Sequence, residues 1–128
     1  MRLLLDTHAL IWFLAGDPKL SRRTRAQIED ETSVVLVSAV SAIEVTMKHR
    51  LGKLPEADEI VGDFEASILE FGFEGLPISL RHAQLAGSLP IDHRDPFDRL
   101  LIAQSLIEGL TLVSNERLFE AAGVSRLW

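Results

Sequence analysis

Four acidic residues occupy positions that could place their carboxylates at one edge of a sheet. Asp6 ends a short apolar segment, and Glu116 comes just after another. Glu44 and Asp98 each lie in the first turns of a predicted helix. Clustered carboxylates repel one another and raise their own pKa values unless cations neutralise them. Oxygen ligands of this kind suit Mg²⁺ or Mn²⁺. A metal ion held by carboxylates is the usual apparatus of phosphodiester hydrolysis.

The segments that must position these acids alternate between strand and helix patterns. Apolar runs predict strands at 2–6, 33–38 and 110–114, a weak strand within 73–79 and a possible final strand at 125–128. Helical patterns lie between them, at 7–16, within 17–31, and at about 39–51, 58–71, 80–87, 96–108 and 115–122. The alternation predicts one α/β domain over residues 1–128, with a mainly parallel sheet of four to five strands covered on both faces. Ligands bind beyond the carboxyl ends of such strands, where the acids fall.

Three of the acids also have an interpretation as ordinary helix-end residues. Asp6 could cap the helix that starts at the next residue, although a charge directly after three leucines lies at the edge of the sheet. Ser41 and Glu44 have the spacing of a capping box. Asn115 could cap a helix in which Glu116 is a first-turn acid. Spacing alone does not separate these interpretations from a metal site.

The stretch from Asp95 to Asp98 is a well-formed helix start. Asp95 is suited to the N-cap, Pro96 to the first helical position and Asp98 to the first turn, where the helix dipole favours an acid. Asp98 shares a helix face with Ile102 and Ser105, which directs it toward the sheet. We therefore assign the structural role mainly to Asp95 and keep Asp98 as a candidate ligand.

Composition limits the class of protein. The chain has 128 residues, of which 47% are hydrophobic, and it contains no cysteine, so disulfides and thiolate metal sites are excluded. No apolar run reaches the roughly 18 residues that span a bilayer, and we expect a cytoplasmic protein without a membrane partner. A net charge of −6 argues against non-specific nucleic-acid binding. That objection weakens if bound cations reverse the local sign.

Four ordered motifs resemble one known family over the whole chain. They are "LLLDTHALIW" near the start, "SAVSAIEVTMKHRLGKL" in the middle, "HRDPFDRLLIAQ" near the end and the closing "GVSRLW". Together they resemble the PIN-domain ribonucleases, specifically the VapC-like toxins of bacterial toxin–antitoxin pairs. The resemblance implies the three-layer α/β/α sandwich of that family.

The resemblance also implies a set of catalytic, metal-holding acids. Asp6, Glu44 and Asp98 match the family's first three acids. The fourth is usually an aspartate in a "T-x-D" motif, whereas this chain has Ser114 and Glu116 at those positions. A glutamate is longer by one methylene, so it must fold back to satisfy the strict geometry of Mg²⁺.

Activity, cofactor and partners follow from the same resemblance. It implies an endoribonuclease that depends on one or two Mg²⁺ or Mn²⁺ ions and acts on RNA in the cytoplasm. It also implies a homodimer and a cognate antitoxin that covers the site. Residues expected to support the site through hydrogen bonds are Thr7, Asp95, Ser114 and Asn115.

Other residues are candidates for contacts with RNA or with the site acids. Lys48, Arg50 and Lys53 follow Glu44 and could meet phosphates, or they could simply complement the dipole at a helix C-terminus. Arg99, directly after Asp98, could pair with an acid. Of the histidines near the motifs, His8 and His93, neither is required by a carboxylate–metal mechanism.

Two segments could contact a partner protein. The helix containing residues 9–15 is apolar on nearly all sides, which suits either a contact surface or a deeply buried helix. The predicted helix at 58–71 has a wide apolar face that could help to form a groove for an antitoxin helix, or could be an ordinary core face.

Two other functions are considered beside the nuclease. The first is a PIN-like module, weak or inactive because of Glu116, that binds RNA or an antitoxin without cutting. The second is a phosphatase in which Asp6 forms an aspartyl-phosphate. Haloacid-dehalogenase-like enzymes have a second acid two residues after the first, and this chain has His8 there.

Overall fold

A five-stranded parallel sheet forms the centre of the molecule. The computed structural model describes all 128 residues. The strands are β1 (Arg2–Leu5), β2 (Val34–Ser38), β3 (Glu74–Leu76), β4 (Thr111–Val113) and β5 (Arg126–Leu127). Their order is β3-β2-β1-β4-β5, and every pairing is parallel. The predicted sheet, including its weak third strand and its final strand, is confirmed.

Six α-helices cover the sheet. They are α1 (Thr7–Ala15), α2 (Arg22–Glu29), α3 (Ala39–Arg50), α4 (Phe64–Glu70), α5 (Leu80–Ser88) and α6 (Pro96–Glu108). Short 3₁₀ helices span Pro55–Ala57 and Arg117–Ala122. None of the α-helices has the length and apolar character required to cross a lipid bilayer.

Two predicted helices were wrong in extent or type. The helix expected over 58–71 begins only at Phe64, because the Asp63 carboxylate caps it by accepting a 3.0 Å hydrogen bond from the Ala66 N–H. Ile60 is buried within the preceding turns, so its apolar spacing with Phe64 reflects packing of an irregular segment. The helix expected at 115–122 is the 3₁₀ helix that starts at Arg117.

The central strand explains the three layers. Leu3 and Leu5 point to one face of the sheet, where they pack in a core that includes side chains of α1, α2 and α4. Leu4 points to the other face, where it packs with residues of α6 and the start of α3. All three leucines are fully buried, as expected for a parallel strand that is covered on both faces. The predicted α/β/α sandwich is therefore confirmed.

Local capping brings helix starts to the carboxyl edge of the sheet. Ser38 ends β2 and caps α3, its hydroxyl oxygen accepting a 3.0 Å hydrogen bond from the Val40 N–H. The same hydroxyl donates a 2.6 Å hydrogen bond to the side-chain oxygen of Gln104, which is fully buried in α6. This bond ties α6 to the end of β2. At its other end α6 stops at Gly109, whose φ of 65° favours glycine.

The apolar first helix is mainly a core helix. Ala9, Leu10 and Ile11 are buried, whereas Trp12, Phe13 and Leu14 are partly buried and pack against the core. Of the two interpretations left open by its sequence, burial accounts for most of its apolar surface.

Candidate active site

A single cleft at the carboxyl edge of the sheet is lined by all four acids chosen from the sequence. Its volume is about 220 Å³. The lining residues are Asp6, Thr7, His8, Glu44, Lys48, Asp95, Asp98, Leu101 and Glu116. The acids come from the end of β1, the middle of α3, the first turn of α6 and the segment after β4, so the parallel topology brings together residues that are distant in the sequence.

Asp6 is the most buried acid of the cleft, with 6% of its surface exposed. Its backbone N–H donates to the carbonyl of Val113 at 3.0 Å, and its Oδ1 accepts a 2.7 Å hydrogen bond from the Ala9 N–H as the cap of α1. Burial raises the pKa of Asp6 from 3.8 to about 6, and the nearby Asp98 carboxylate adds to the rise. Hydrogen bonds from Ser114 and Ala9 and the charge of His8 oppose it. Asp6 is thus both the cap of α1 and a buried carboxylate whose pKa is raised.

Glu44 is held in the cleft by the start of α1. The Thr7 hydroxyl lies 2.7 Å from Glu44 Oε1 and donates to it, and it also lies 3.0 Å from the hydroxyl of buried Ser41. The capping-box interpretation of Ser41 and Glu44 was wrong, because α3 begins at Ala39 and is capped by Ser38. Both residues therefore lie inside the helix, free to contact the neighbouring element.

Lys48 brings a positive charge to the acidic cleft. It lies one helical turn after Glu44, and its Nζ is 3.8 Å from Glu44 Oε2. Arg50 and Lys53 are exposed at the end of α3 and beyond it, and neither lines the cleft. Of the three basic residues proposed to meet RNA, only Lys48 is adjacent to the acids.

Asp98 lies on the first turn of α6. The cap of that helix is Asp95, whose Oδ1 accepts a 2.9 Å hydrogen bond from the Phe97 N–H, as the sequence predicted. Asp98 itself accepts a 2.7 Å hydrogen bond at Oδ2 from His93 Nε2. The buried side chains of Ile102 and Ser105 lie on the same side of the helix. The face carrying Asp98 is therefore the one that packs inward.

Arg99 does not pair with an acid, so that expectation was wrong. Its guanidinium donates instead to backbone carbonyls in the last turn of α5 and in the segment between α5 and α6. The donor–acceptor distances to the oxygens of Ala86, Leu89 and His93 are 2.7, 2.7 and 2.8 Å. These carbonyl oxygens accept the hydrogen bonds of the guanidinium that an acid was expected to accept.

Glu116 is the most loosely held acid of the cleft. It is exposed, and its carboxylate makes no hydrogen bond. Its backbone N–H donates a 3.0 Å hydrogen bond to the hydroxyl of Ser114, which is fully buried. Asn115 does not cap the following 3₁₀ helix, since the cap position is Glu116 itself. Asn115 is exposed and does not line the cleft.

The donors fit a hard divalent cation in type but are not assembled around one point. No three acidic, histidine or cysteine side chains lie close enough together to hold a metal ion. Glu44 is bonded to Thr7, and Asp98 to His93, so two of the acids are oriented by other partners. The buried Asp6 carboxylate, whose pKa is raised, supports a cation at this position, because a positive charge would offset its burial.

Residues that the sequence alone did not assign also contribute to the cleft. Ser41 lies within hydrogen-bonding distance of Thr7, and His93 contacts Asp98. His93 lies two residues before Asp95, the cap of α6, and this position was the only signal in the sequence for its contact with Asp98. His8 lines the cleft, where it stacks on Trp12 with ring centroids 5.5 Å apart.

Comparisons with known proteins give one family match and several structures of similar fold. The family model of the PIN domain matches residues 3–124. The chain is similar to VapBC2 from Rickettsia felis, solved bound to a DNA fragment from their promoter, with 14% identity, 99% of this chain and 98% of that one covered, and a TM-score of 0.73. It is also similar to FitAcB from Neisseria gonorrhoeae, with 22% identity, 98% of this chain and 96% of that one covered, and a TM-score of 0.69. A third similar structure is a toxin–antitoxin complex from Klebsiella pneumoniae, with 16% identity, 98% of this chain and 96% of that one covered, and a TM-score of 0.65. No curated protein sequence matches the chain significantly.

Proposed function

The chain belongs to the PIN domain family, and from this we propose that it is a metal-dependent endoribonuclease acting as the toxin of a toxin–antitoxin pair. PIN domains are generally nucleases that use divalent metals. RNA as the substrate, Mg²⁺ or Mn²⁺ as the cofactor and the cytoplasm as the place of action are parts of the proposal.

The observation that carries the proposal is a cleft that gathers the four candidate acids, of which Asp6 is buried. Burial raises the pKa of the Asp6 carboxylate to about 6. Such an arrangement is unfavourable for the folded chain at neutral pH. Proteins keep arrangements of this kind where a function requires them.

The acids have distinct roles in the proposed site. Asp6, Glu44, Asp98 and Glu116 would hold one or two Mg²⁺ or Mn²⁺ ions. When bound, the metal orients the scissile phosphate, lowers the pKa of the attacking water and stabilises charge on the leaving oxygen. Asp6 contributes from a rigid position, because it also caps α1. Glu116 contributes from an exposed one, so we expect it to be the weakest ligand.

Neighbouring residues orient the acids and receive the substrate. The Thr7 hydroxyl orients Glu44, and we propose that Lys48 binds a phosphate of the RNA from the rim of the cleft. Lys48 is 3.8 Å from Glu44, a distance at which the ion pair is weak and the ammonium can turn toward a phosphate.

An antitoxin and a second copy of the chain complete the proposal. The structures of similar fold include a toxin–antitoxin complex, VapBC2 and FitAcB, and we propose a cognate antitoxin for this chain by analogy. A homodimer is supported by three exposed apolar residues spaced four apart, Ile43 and Met47 on α3 and Leu51 at its C-cap. Sedimentation velocity of the purified chain tests the dimer.

A second candidate function is a PIN-like module that binds RNA or an antitoxin without cutting. The observations that favour it are the exposed carboxylate of Glu116 and the absence of a preassembled metal cluster. Such a module should bind Mn²⁺ poorly, whereas the nuclease should bind it well.

RNA cleavage by the purified chain tests the two candidates. Total RNA is incubated with the chain in Mn²⁺ or in EDTA, beside Asp98→Asn. The nuclease predicts cleavage that requires both the metal and Asp98. RNA left intact by a folded chain that also fails to bind Mn²⁺ in calorimetry would favour the binding module.

A further inference from the structure

We propose that His93 is a positioning residue that holds the Asp98 carboxylate in the orientation required for the cation. The inference rests on the proposed metal-dependent function and adds to it a residue outside the four acids. His93 has no role as a base in this proposal. It acts only through its hydrogen bond to Asp98.

The bond itself has a defined direction. His93 Nε2 lies 2.7 Å from Asp98 Oδ2, and an ionised carboxylate only accepts, so the imidazole N–H donates. The side chains of His93 and Asp98 are 21% and 31% exposed, so the bond is partly shielded from water. It is the only hydrogen bond to the Asp98 carboxylate, which makes His93 its sole protein anchor.

The imidazole ring is itself held in place. On one side it meets the edge of the Phe119 ring, with centroids 6.4 Å apart and an interplanar angle of 72°. Phe119 is 1% exposed and belongs to the core beneath α6. A ring that is packed against a rigid neighbour loses little further freedom when it bonds a carboxylate.

Arg99 fixes the backbone that carries the histidine. Its Nη1 donates to the carbonyls of Ile91 and His93 at 3.0 and 2.8 Å. The remaining donors reach the carbonyls of Ala86 and Leu89. Because Arg99 directly follows Asp98 in α6, the same helical turn that presents the acid also anchors the loop that presents the histidine.

The arrangement parallels the support of the other inward-facing acids. Asp6 accepts from the Ala9 N–H and Glu44 from the Thr7 hydroxyl. Hydrogen-bonded partners of metal ligands commonly set ligand orientation, and their loss costs about 10–100-fold in metal affinity. His93 supplies for Asp98 what these groups supply for the other two acids.

Mn²⁺ affinity of the full-length chain, measured by calorimetry, tests the proposal. We expect His93→Ala to weaken Mn²⁺ binding about tenfold. His93→Gln can place an amide N–H near the position of Nε2, and we expect it to restore most of the affinity. His93→Phe packs against Phe119 without donating, so it should reproduce the loss even if the alanine variant folds poorly.

A matched control is available in the same chain. His49 Nε2 contacts Asp58 Oδ1 at the exposed end of α3, outside the cleft. His49→Ala removes a similar histidine–carboxylate pair and should leave Mn²⁺ affinity unchanged. Wild-type affinity in folded His93→Phe, or no recovery in His93→Gln, overturns the inference alone. Failure of the wild type to bind Mn²⁺ overturns the proposed function and the inference with it.

Discussion

The Thr7 hydroxyl donates a 2.7 Å hydrogen bond to Oε1 of Glu44 across 37 positions of the sequence. Thr7 begins α1 at the end of the central strand, and Glu44 lies in the middle of α3. The bond therefore joins two helices that start from neighbouring strands, β1 and β2. It also fixes one wall of the cleft relative to Asp6, the residue before Thr7.

Removing the Thr7 hydroxyl should affect both stability and activity. In Thr7→Val the side-chain shape is retained, but buried Ser41 and partly buried Glu44 lose a partner. We expect a loss of about 1–2 kcal/mol in the free energy of unfolding and about tenfold slower RNA cleavage. Urea unfolding and cleavage assays measure the two effects, with Thr7→Ser as the control that keeps the hydroxyl. Equal cleavage by Thr7→Val and the wild type would contradict the orienting role.

Neutralising Asp6 should stabilise the metal-free chain while abolishing activity. The folded-state pKa is about 6, above the ordinary 3.8. Between these values the folded chain binds more protons than the unfolded chain, so this group lowers the free energy of unfolding as pH rises from about 4 to 6. From about pH 7 upward the penalty is complete, at about 3 kcal/mol. Asparagine caps helices as well as aspartate does, so Asp6→Asn retains the cap of α1.

Urea unfolding in EDTA at pH 7.5 and pH 4.5 tests the effect of Asp6. We expect Asp6→Asn to be more stable than the wild type at pH 7.5, and the difference to shrink at pH 4.5. Other carboxylates titrate in both proteins, so their contribution cancels in the comparison. A variant that is less stable at both values would mean that the buried carboxylate is not a destabilising group.

Replacing Arg99 by lysine should destabilise the chain although the charge is kept. The guanidinium donates to carbonyls at the end of α5 and in the segment that follows it, and a lysine ammonium cannot reach them together. We expect Arg99→Lys to lose about 2 kcal/mol. Thermal unfolding measures the loss, and exposed Arg94→Lys should be neutral. Equal melting of the two variants would show that the carbonyl contacts add nothing to stability.

Glu116 should be the acid whose substitution costs least. Its carboxylate is exposed and unbonded, in contrast to that of Asp6. We expect Glu116→Gln to slow cleavage by about tenfold, less than Asp98→Asn, whereas Glu116→Asp should retain activity. Initial cleavage rates at a fixed Mn²⁺ concentration give the order. If Glu116→Gln were as inactive as Asp98→Asn, the exposed glutamate would be a principal ligand.

Local signals explain the elements that the sequence predicted well. The bounds of α6 could be read from Asp95 and Pro96 at its start and from Gly109 at its end.

The helix predicted over 58–71 was wrong in extent because the apolar spacing of its first residues does not mark where a helix begins. Ile60 and Phe64 have helical spacing, but Ile60 packs from a turn, and periodicity records burial without recording backbone conformation.

For the site, the sequence located the acids but not their partners. Acids at strand ends meet at one edge because the strands are parallel, and this rule led to Asp6 and Glu116. The bond of Thr7 to Glu44 depends on how two helices pack, which no local pattern encodes. Arg99 shows the same limit. Its position beside Asp98 suggested an ion pair with an acid, whereas the end of α5 and the loop after it supply carbonyl acceptors that no local pattern predicts. The catalytic roles of the acids stay a prediction.

The most direct test of the proposed nuclease compares matched aspartate-to-asparagine substitutions. Wild type, Asp98→Asn and Asp63→Asn are incubated with end-labelled RNA over a Mn²⁺ titration and in EDTA. Asp63 caps α4 and does not line the cleft, so its substitution controls for the chemical change alone. We predict Mn²⁺-dependent cleavage by the wild type and Asp63→Asn, and none by Asp98→Asn. Cleavage that persists in EDTA, or that is equal in all three proteins, would contradict a carboxylate-held metal site in this cleft.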